Sequence, residues 1–307
     1  MARRWSYGKR FAGPATVASQ VGRWAAAAAA FGYVYLTAVF LTLPDVRPLA
    51  DVPPATTAFI ELRSREARRE GRDAEPVRHW VGYDAISNHL KRAVIVAEDA
   101  AFFEHEGIDY EELRKSMEQN LERGEFTRGA STITQQLAKN LYLSPSRNPV
   151  RKFQELMITR LLEGALTKRR ILELYLNSVE WGDGIYGAEA AARTYFHEPA
   201  SALSAEQSAL LAGSLINPRR YSPGAPPRRL LRRQRIILAR MRIGGGPLAA
   251  TAAPHVRETT RPAAQDHELP AELDSLEEEA EPAPTETAEP PVPQEPAVPP
   301  KPTQDPP

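Results

Sequence analysis

Glu98 and Asp99 follow directly on an apolar run, Ala93-Val94-Ile95-Val96-Ala97, and Phe102 and Phe103 separate them from His105 and Gly107. A carboxylate at the end of a buried segment is partly desolvated. Its charged form is disfavoured, its pKa rises, and it becomes a better general base near neutral pH. A plainer account of the same residues is a helix with solvated acids and core phenylalanines. Further on, Gly129-Ala-Ser131-Thr132-Ile133-Thr134-Gln135-Gln136-Leu137-Ala138-Lys139-Asn140 begins at a flexible glycine and runs into a helix. A helix from Ser131 puts Thr132, Gln136 and Lys139 on one stripe and Ile133, Leu137 and Leu141 on another. A hydroxyl, an amide and an ammonium on one stripe suit a polyoxygenated or phosphorylated ligand, although an exposed polar face reads the same way. Arg151 and Glu155 stand four residues apart with Lys152 between them. As a surface ion pair they are worth about 0.3–0.5 kcal/mol. Joined to Lys139, they form a cationic cradle whose field Glu155 sets, a group suited to a diphosphate leaving group.

These residues need helices to carry them. From Ala85 to about Ile243 the apolar residues recur at three- and four-residue steps, which predicts one mainly helical body. Breaks fall at Gly124, Pro145, Gly182-Asp183-Gly184, Pro199 and Asn217-Pro218. Lys168 to Asn177 reads as an amphipathic helix with Asn177 at its cap, Glu173 and Asn177 serving as supports. Ser204-Ala205-Glu206 is a helix start. Pro226 to Ile243 is a basic amphipathic helix whose arginines either touch lipid headgroups or snorkel while their stems pack on the body. Ahead of the body, Thr57 to Arg63 alternates well enough to predict a short strand.

The formal charge of the 307 residues is zero, but it is the sum of opposed parts. From Pro254 onward there are 13 acidic and 3 basic side chains, leaving 26 acidic and 36 basic before it. A basic body fits an anionic partner. Half of the 28 prolines also fall in that last stretch, so residues 244–307 are expected to be a disordered tail. The lack of cysteine excludes disulfides, thiolate metal sites and thiol catalysis. Trp24 to Leu43 carries no charge. At about 1.5 Å per residue it spans about 30 Å, the hydrocarbon thickness of a bilayer. It exceeds the apolar core of a cleaved signal peptide, and Arg3, Arg4, Lys9, Arg10 and Arg23 precede it. The expected order is a cytoplasmic basic tail over 1–23, an anchor over 24–43, a linker over 44–79, the body over 80–243 outside the membrane, and the tail.

Four segments together resemble the peptidoglycan glycosyltransferase family, the domain also found at the front of bifunctional penicillin-binding proteins. They are Glu98-Asp99-x-x-Phe102-x-x-His105-x-Gly107, Gly129-x-Ser131-Thr132-Ile133-Thr134-Gln135-Gln136, Arg151-Lys152-x-x-Glu155 and Lys168-x-x-Ile171-Leu172-Glu173-x-Tyr175-Leu176-Asn177. Order and spacing match too, over about Trp80 to Ile243. No Lys-Thr-Gly occurs and the one Ser-x-x-Lys, Ser6 to Lys9, lies near the N-terminus, so the likeness is to monofunctional, biosynthetic members.

The resemblance implies a mainly α, lysozyme-like fold with a smaller membrane-facing lobe, in the cytoplasmic (inner) membrane with the catalytic body on its outer side. It implies polymerisation of lipid II onto a growing β-1,4 glycan strand. Glu98 is then the general base and Glu155 the carboxylate beside the donor diphosphate. Asp99, Phe102, His105, Gly129, Ser131, Thr132, Gln136, Lys139, Arg151 and Lys152 are the substrate-binding set. No cofactor is required by this reading, and some members of the family show a divalent cation, Mg2+ or Mn2+, at the diphosphate. Cell-wall synthesis or division proteins fit as partners; nucleic acid does not. Two other readings compete. A glycan-cleaving enzyme of the same fold class needs a proton donor for a sugar leaving group and gains little from a cationic cradle. A membrane-tethered scaffold has no use for Glu98, Lys139 and Glu155 in this arrangement.

Overall fold

The computed structural model describes residues 14–72, 75–123, 131–143 and 149–243. The chain divides into two units, 1–259 and 260–307, and every described residue belongs to the first. Expectations about residues 1–13, the breaks at Gly124 and Pro145, Gly129 and the tail from 244 lie outside the described residues.

Helix α1 runs Pro14–Leu41, and its stretch Gly22–Leu41 is long and apolar enough to cross a membrane. Trp24, Phe31, Tyr33, Val34 and Phe40 are exposed along it. It ends two residues before the expected Leu43, where the Thr42 hydroxyl donates to the Val39 carbonyl and Pro44 follows. Within residues 44–79, read from sequence as a linker, the segment around Val46 and Leu49 packs on the body. Val46 and Leu49 enter the main core, and Arg170 Nε donates to the Leu49 carbonyl at 2.7 Å.

The strand expected at Thr57–Arg63 is instead the start of helix α2, Ala58–Arg69. Thr57 caps it, its hydroxyl accepting the Ile60 N–H at 3.1 Å, and Ile60 and Ala67 turn the same face inward. A cap and two turns of inward apolar spacing outweigh a short alternating run.

Strand β1 (Val77–Arg78) pairs in parallel with β3 (Ile185–Tyr186), and β3 pairs antiparallel with β2 (Glu180–Gly182). The remaining longer elements among the described residues are helices: α3 (Asn88–Glu98), α4 (Tyr110–Arg123), α5 (Ile133–Tyr142), α6 (Pro149–Ala165), α7 (Lys168–Ser178), α8 (Ala188–Phe196), α9 (Ala205–Ser214) and α10 (Arg228–Ile243). The mainly α class expected from the periodicity is what the chain adopts.

Two layers of packing position the site. In one, α3 lies on α9 and α10. Leu90, Ala93 and Val94 meet Ala209, Leu211 and Ala212 in the core, and α10 adds Ile237 and Met241. Each leucine-sized side chain so buried is worth about 1.5–3 kcal/mol. Ser204 starts α9 through a reciprocal capping box with Gln207, as its sequence signal indicates. In the other layer, α5 packs against α6, α7 and α2. Ile133, Leu137 and Ala138 of α5 are fully buried there with Leu162, Ile171 and Leu172.

Candidate active site

Helix α3 delivers Glu98 from its last turn. Ser87 fixes the other end of that helix. Its hydroxyl accepts the His89 N–H at 3.2 Å and donates to the Leu203 carbonyl at 2.9 Å, tying α3 to the segment that leads into α9. The buried face of α3 then leaves its last carboxylate little freedom.

The turn after Glu98 is laced to the start of α5. Asp99 Oδ2 accepts the Ile133 N–H at 2.9 Å, placing a carboxylate at the positive end of the α5 dipole. Asp99 Oδ1 lies 2.8 Å from His105 Nε2, and His105 Nδ1 accepts the Gly107 N–H at 3.1 Å, so the ring carries its proton on Nε2. The Thr132 hydroxyl donates to the Gly107 carbonyl at 2.8 Å and accepts the Gln135 N–H in a second capping box. Gly107 has φ +83°, and a Cβ there would stand 2.7 Å from Thr159 Cγ2 and 2.8 Å from Glu163 Cγ. Only glycine fits that crossing.

With both segments fixed, Gln136 on the first turn of α5 reaches Glu98. Its Nε2 donates to Glu98 Oε2 at 2.9 Å, and its Oε1 accepts from the Tyr175 hydroxyl at 2.9 Å. Tyr175, on α7, is buried, and burial with the charges of Glu98 and Asp99 pushes its phenol well above the usual range, so it stays a donor. The carboxylate needs a donor and the amide oxygen needs one too, which fixes the amide's orientation. From α10, Arg233 Nη2 stands 3.7 Å from Glu98 Oε1. Burial pushes the Glu98 carboxyl up and Asp99 adds to this, while the Gln136 hydrogen bond, Arg233 and Lys139 oppose it. The net shift is upward, as a general base requires.

The cations gather around Glu155, a residue of α6 that is 4% exposed. Lys152 Nζ donates to its Oε1 at 2.5 Å and Arg151 Nη1 to its Oε2 at 3.2 Å. Lys139, one helix away on α5, senses the same group. Burial pulls its ammonium pKa down, Glu155 and Glu98 oppose this, and Arg151 and Lys152 reinforce it. Three cations and a single buried carboxylate leave net positive charge for an anionic ligand.

Other residues of the expected set sit differently. Phe102 is wholly buried, edge-on to Phe103 at 5.0 Å and 4.6 Å below Lys168 Nζ. Its ring belongs to the core. Thr132 precedes the helix as its cap, so it does not share the stripe of Gln136 and Lys139. The polar atoms of Asp99, His105 and Thr132 are spent joining the turn to α5. Ser131 is exposed just ahead of the cap. Asn177 lies inside α7 rather than at its cap: it bridges to Val81 through both backbone groups at 3.0 Å and donates to the Glu173 carbonyl. Asp99, His105 and Asp109 bring ligand atoms within 4.8 Å of one another. Both ring nitrogens of His105 are already engaged, and Asp109 Oδ1 accepts the Glu112 N–H at the start of α4.

Sequence reasoning did not assign Arg233 or the Tyr175 hydroxyl. The available signal for Arg233 was its spacing from Leu230 and Ile237, which share the buried face of α10. For Tyr175 it was a phenol on a face that otherwise packs, where a buried hydroxyl needs a partner.

A family model described as Transglycosylase matches residues 64–242, more than half of the chain. The chain is 50% identical over 190 residues to a biosynthetic peptidoglycan transglycosylase of Dechloromonas aromatica (strain RCB), covering 62% of this chain and 82% of that protein. Identity is also 50% over 188 residues to the protein of the same description from Laribacter hongkongensis (strain HLHK9), covering 61% and 82%. A third, from Thiobacillus denitrificans (strain ATCC 25259 / T1), is 45% identical over 224 residues, 73% of this chain and 94% of its own length.

Proposed function

Since the chain belongs to the transglycosylase family and is a peptidoglycan glycosyltransferase with a lysozyme-like, mainly α body, we propose that it polymerises lipid II into β-1,4 glycan strands and releases undecaprenyl diphosphate. The observation that carries this reading is one part-buried carboxylate, Glu98, held by Gln136 and separate from a cationic group built on Glu155. Glu98 takes the proton from the acceptor's 4-hydroxyl as that oxygen attacks the donor's anomeric carbon from the face opposite the diphosphate. The electron pair of the breaking C–O bond goes to the diphosphate, and the configuration inverts. Lys139, Arg151 and Lys152 offset the charge that develops on the leaving group. Such a leaving group needs little protonation, so cations serve it better than a second acid.

Glu155 acts by holding Arg151 and Lys152 in place. A carboxylate already bonded by two cations is a poor match to the all-oxygen octahedron that Mg2+ takes, so no step of this mechanism runs through a metal. Within these 307 residues the sequence supports polymerase chemistry alone, without transpeptidase activity. We assign α1 as an uncleaved anchor in the cytoplasmic membrane, with the basic N-terminus inside and the body outside. Its exposed apolar side chains are what lipid would cover, and the substrate's polyprenyl chain lies in the same bilayer.

The test is turnover of purified lipid II by the detergent-solubilised chain, run beside incubation with purified sacculi. Glycan polymer and released undecaprenyl diphosphate are expected from the first and nothing from the second. Soluble muropeptides from sacculi, with no polymer from lipid II, overturn the reading.

A further inference from the structure

The two oxygens of Glu98 have different surroundings. Oε2 accepts a hydrogen bond from Gln136 at 2.9 Å. Oε1 stands 3.7 Å from Arg233 Nη2, close enough for charge attraction and too far for a hydrogen bond. Its lone pairs are therefore free to accept a proton while a positive charge stands beside it. A guanidinium bonded directly to Oε1 would occupy one of its lone pairs and lower its basicity. Without any cation there, burial would push the carboxyl up further, since the charge of Arg233 opposes that push.

Arg233 is held at that distance by packing. On α10 it lies between Leu230 and Ile237, three residues after the one and four before the other, and both of those are buried. Arg228, Arg229, Arg235 and Arg242 of the same helix are exposed. The stem of Arg233 runs beside Gly213 of α9: a Cβ at 213 would meet Leu230 Cδ1 at 3.1 Å and Arg233 Cγ at 3.6 Å. The tight approach there is to Leu230, and the Arg233 stem lies at ordinary contact distance from α9, so α9 and α10 pack closely along the side of the arginine.

We infer that Arg233 is a positioning residue for the general base, keeping the Glu98 carboxylate charged and its Oε1 free and turned toward the acceptor hydroxyl. This rests on the reading of Glu98 as that base. The other groups that face Glu98 do not duplicate the effect. Lys139, from α5, acts mainly within the Glu155 group, and its pull on Glu98 is weaker than that of Arg233. Asp99, on the turn, opposes ionisation. Gln136 from α5 and Tyr175 from α7 are neutral. Helix α9 has one charged residue, Glu206, exposed in its first turn.

The test uses the full chain in detergent with Arg233→Gln, Arg233→Lys and, as a control on the exposed side of α10, Arg235→Gln. Two midpoints are read. One is the acid limb of the pH profile for lipid II turnover. The other is the carbon-13 titration of the Glu98 carboxyl, identified by its loss in Glu98→Gln and needing no substrate. Arg233→Gln should raise both midpoints by about one pH unit or more, as removal of an opposite charge at this distance does. Arg233→Lys should retain most of the wild-type value, and Arg235→Gln should match wild type in rate and midpoint. Wild-type turnover with an Arg233→Gln midpoint within about 0.2 units of wild type overturns the inference and leaves the functional reading standing. If the wild-type chain turns over no lipid II, that reading fails, and the carbon-13 midpoint alone decides whether Arg233 governs Glu98.

Discussion

Gln136 donates to Glu98 Oε2 while accepting from Tyr175, so the base is oriented by an amide whose own direction a buried phenol fixes. The arrangement converts a hydroxyl on α7 into a restraint on a carboxylate of α3, through one residue of α5. Tyr175→Phe leaves the part-buried Gln136 Oε1 with one donor fewer, which costs about 0.5–1.5 kcal/mol. Urea unfolding should report that loss. Turnover should fall by roughly tenfold as the amide gains the freedom to rotate. A variant as stable and as active as wild type would show that the relay carries no function.

Asp99 is expected to matter through α5. Asparagine can accept at one of its two positions but presents an N–H at the other, either to the Ile133 N–H or to the His105 ring. Asp99→Asn should destabilise the chain by about 1–3 kcal/mol and lower kcat, because Gln136 moves with the start of α5. Loss of substrate affinity with kcat and stability unchanged would instead assign Asp99 to direct binding.

The raised pKa of Glu98 has a stability consequence. Its contribution is fully present below the unfolded-state value, about 4.3 for glutamate, and is lost as pH rises through the higher native value. Glu98→Gln cannot ionise. Its Tm should exceed that of wild type at pH 8, and the advantage should shrink toward pH 4. Thermal melts across that range check the sign; an advantage confined to acid contradicts it.

Lys139→Ala and Arg151→Ala should lower turnover and weaken binding of diphosphate-containing ligands more than Glu98→Gln does. Removing Arg151 also leaves Glu155 Oε2 short of a donor, so its effect should include a loss of stability. Calorimetric titration with a soluble prenyl diphosphate gives the comparison. Equal affinities in all three variants would remove the cations from the leaving-group site.

Much of this site is legible in the sequence because it is local. Glu98 ends an apolar run, and Gln136 and Lys139 share a stripe at a three-residue step. Arg151, Lys152 and Glu155 lie within one helical turn and a residue. What is not legible depends on how distant segments cross. Seven arginines lie on α10, and only the placement of α10 against α3 and α9 says that Arg233 is the one beside Glu98. Phe102 reads equally well as ligand contact or core until the turn around it closes. Thr132 looks like part of the polar stripe because a cap is the residue just before the helix, one position outside the face that spacing alone assigns it to. At Thr57 a short alternation hid a cap followed by inward apolar spacing, which only the neighbouring body made decisive.

The anchor assignment is open to a separate check. A reporter active only in the cytoplasm, joined after Ile243, should be silent, and one active only outside should report. An active cytoplasmic reporter would reverse the orientation.

The role of Glu98 is read most directly from kcat for Glu98→Gln on lipid II, taken together with the affinity of that variant for lipid II. Glutamine keeps the shape of the side chain and a partner for Gln136 but cannot take a proton. With Glu98 as general base, kcat falls by roughly 10²–10⁴ while affinity stays near wild type. A kcat within about threefold of wild type would mean that the carboxylate is not the base, and the inverting mechanism built on Glu98 would fall.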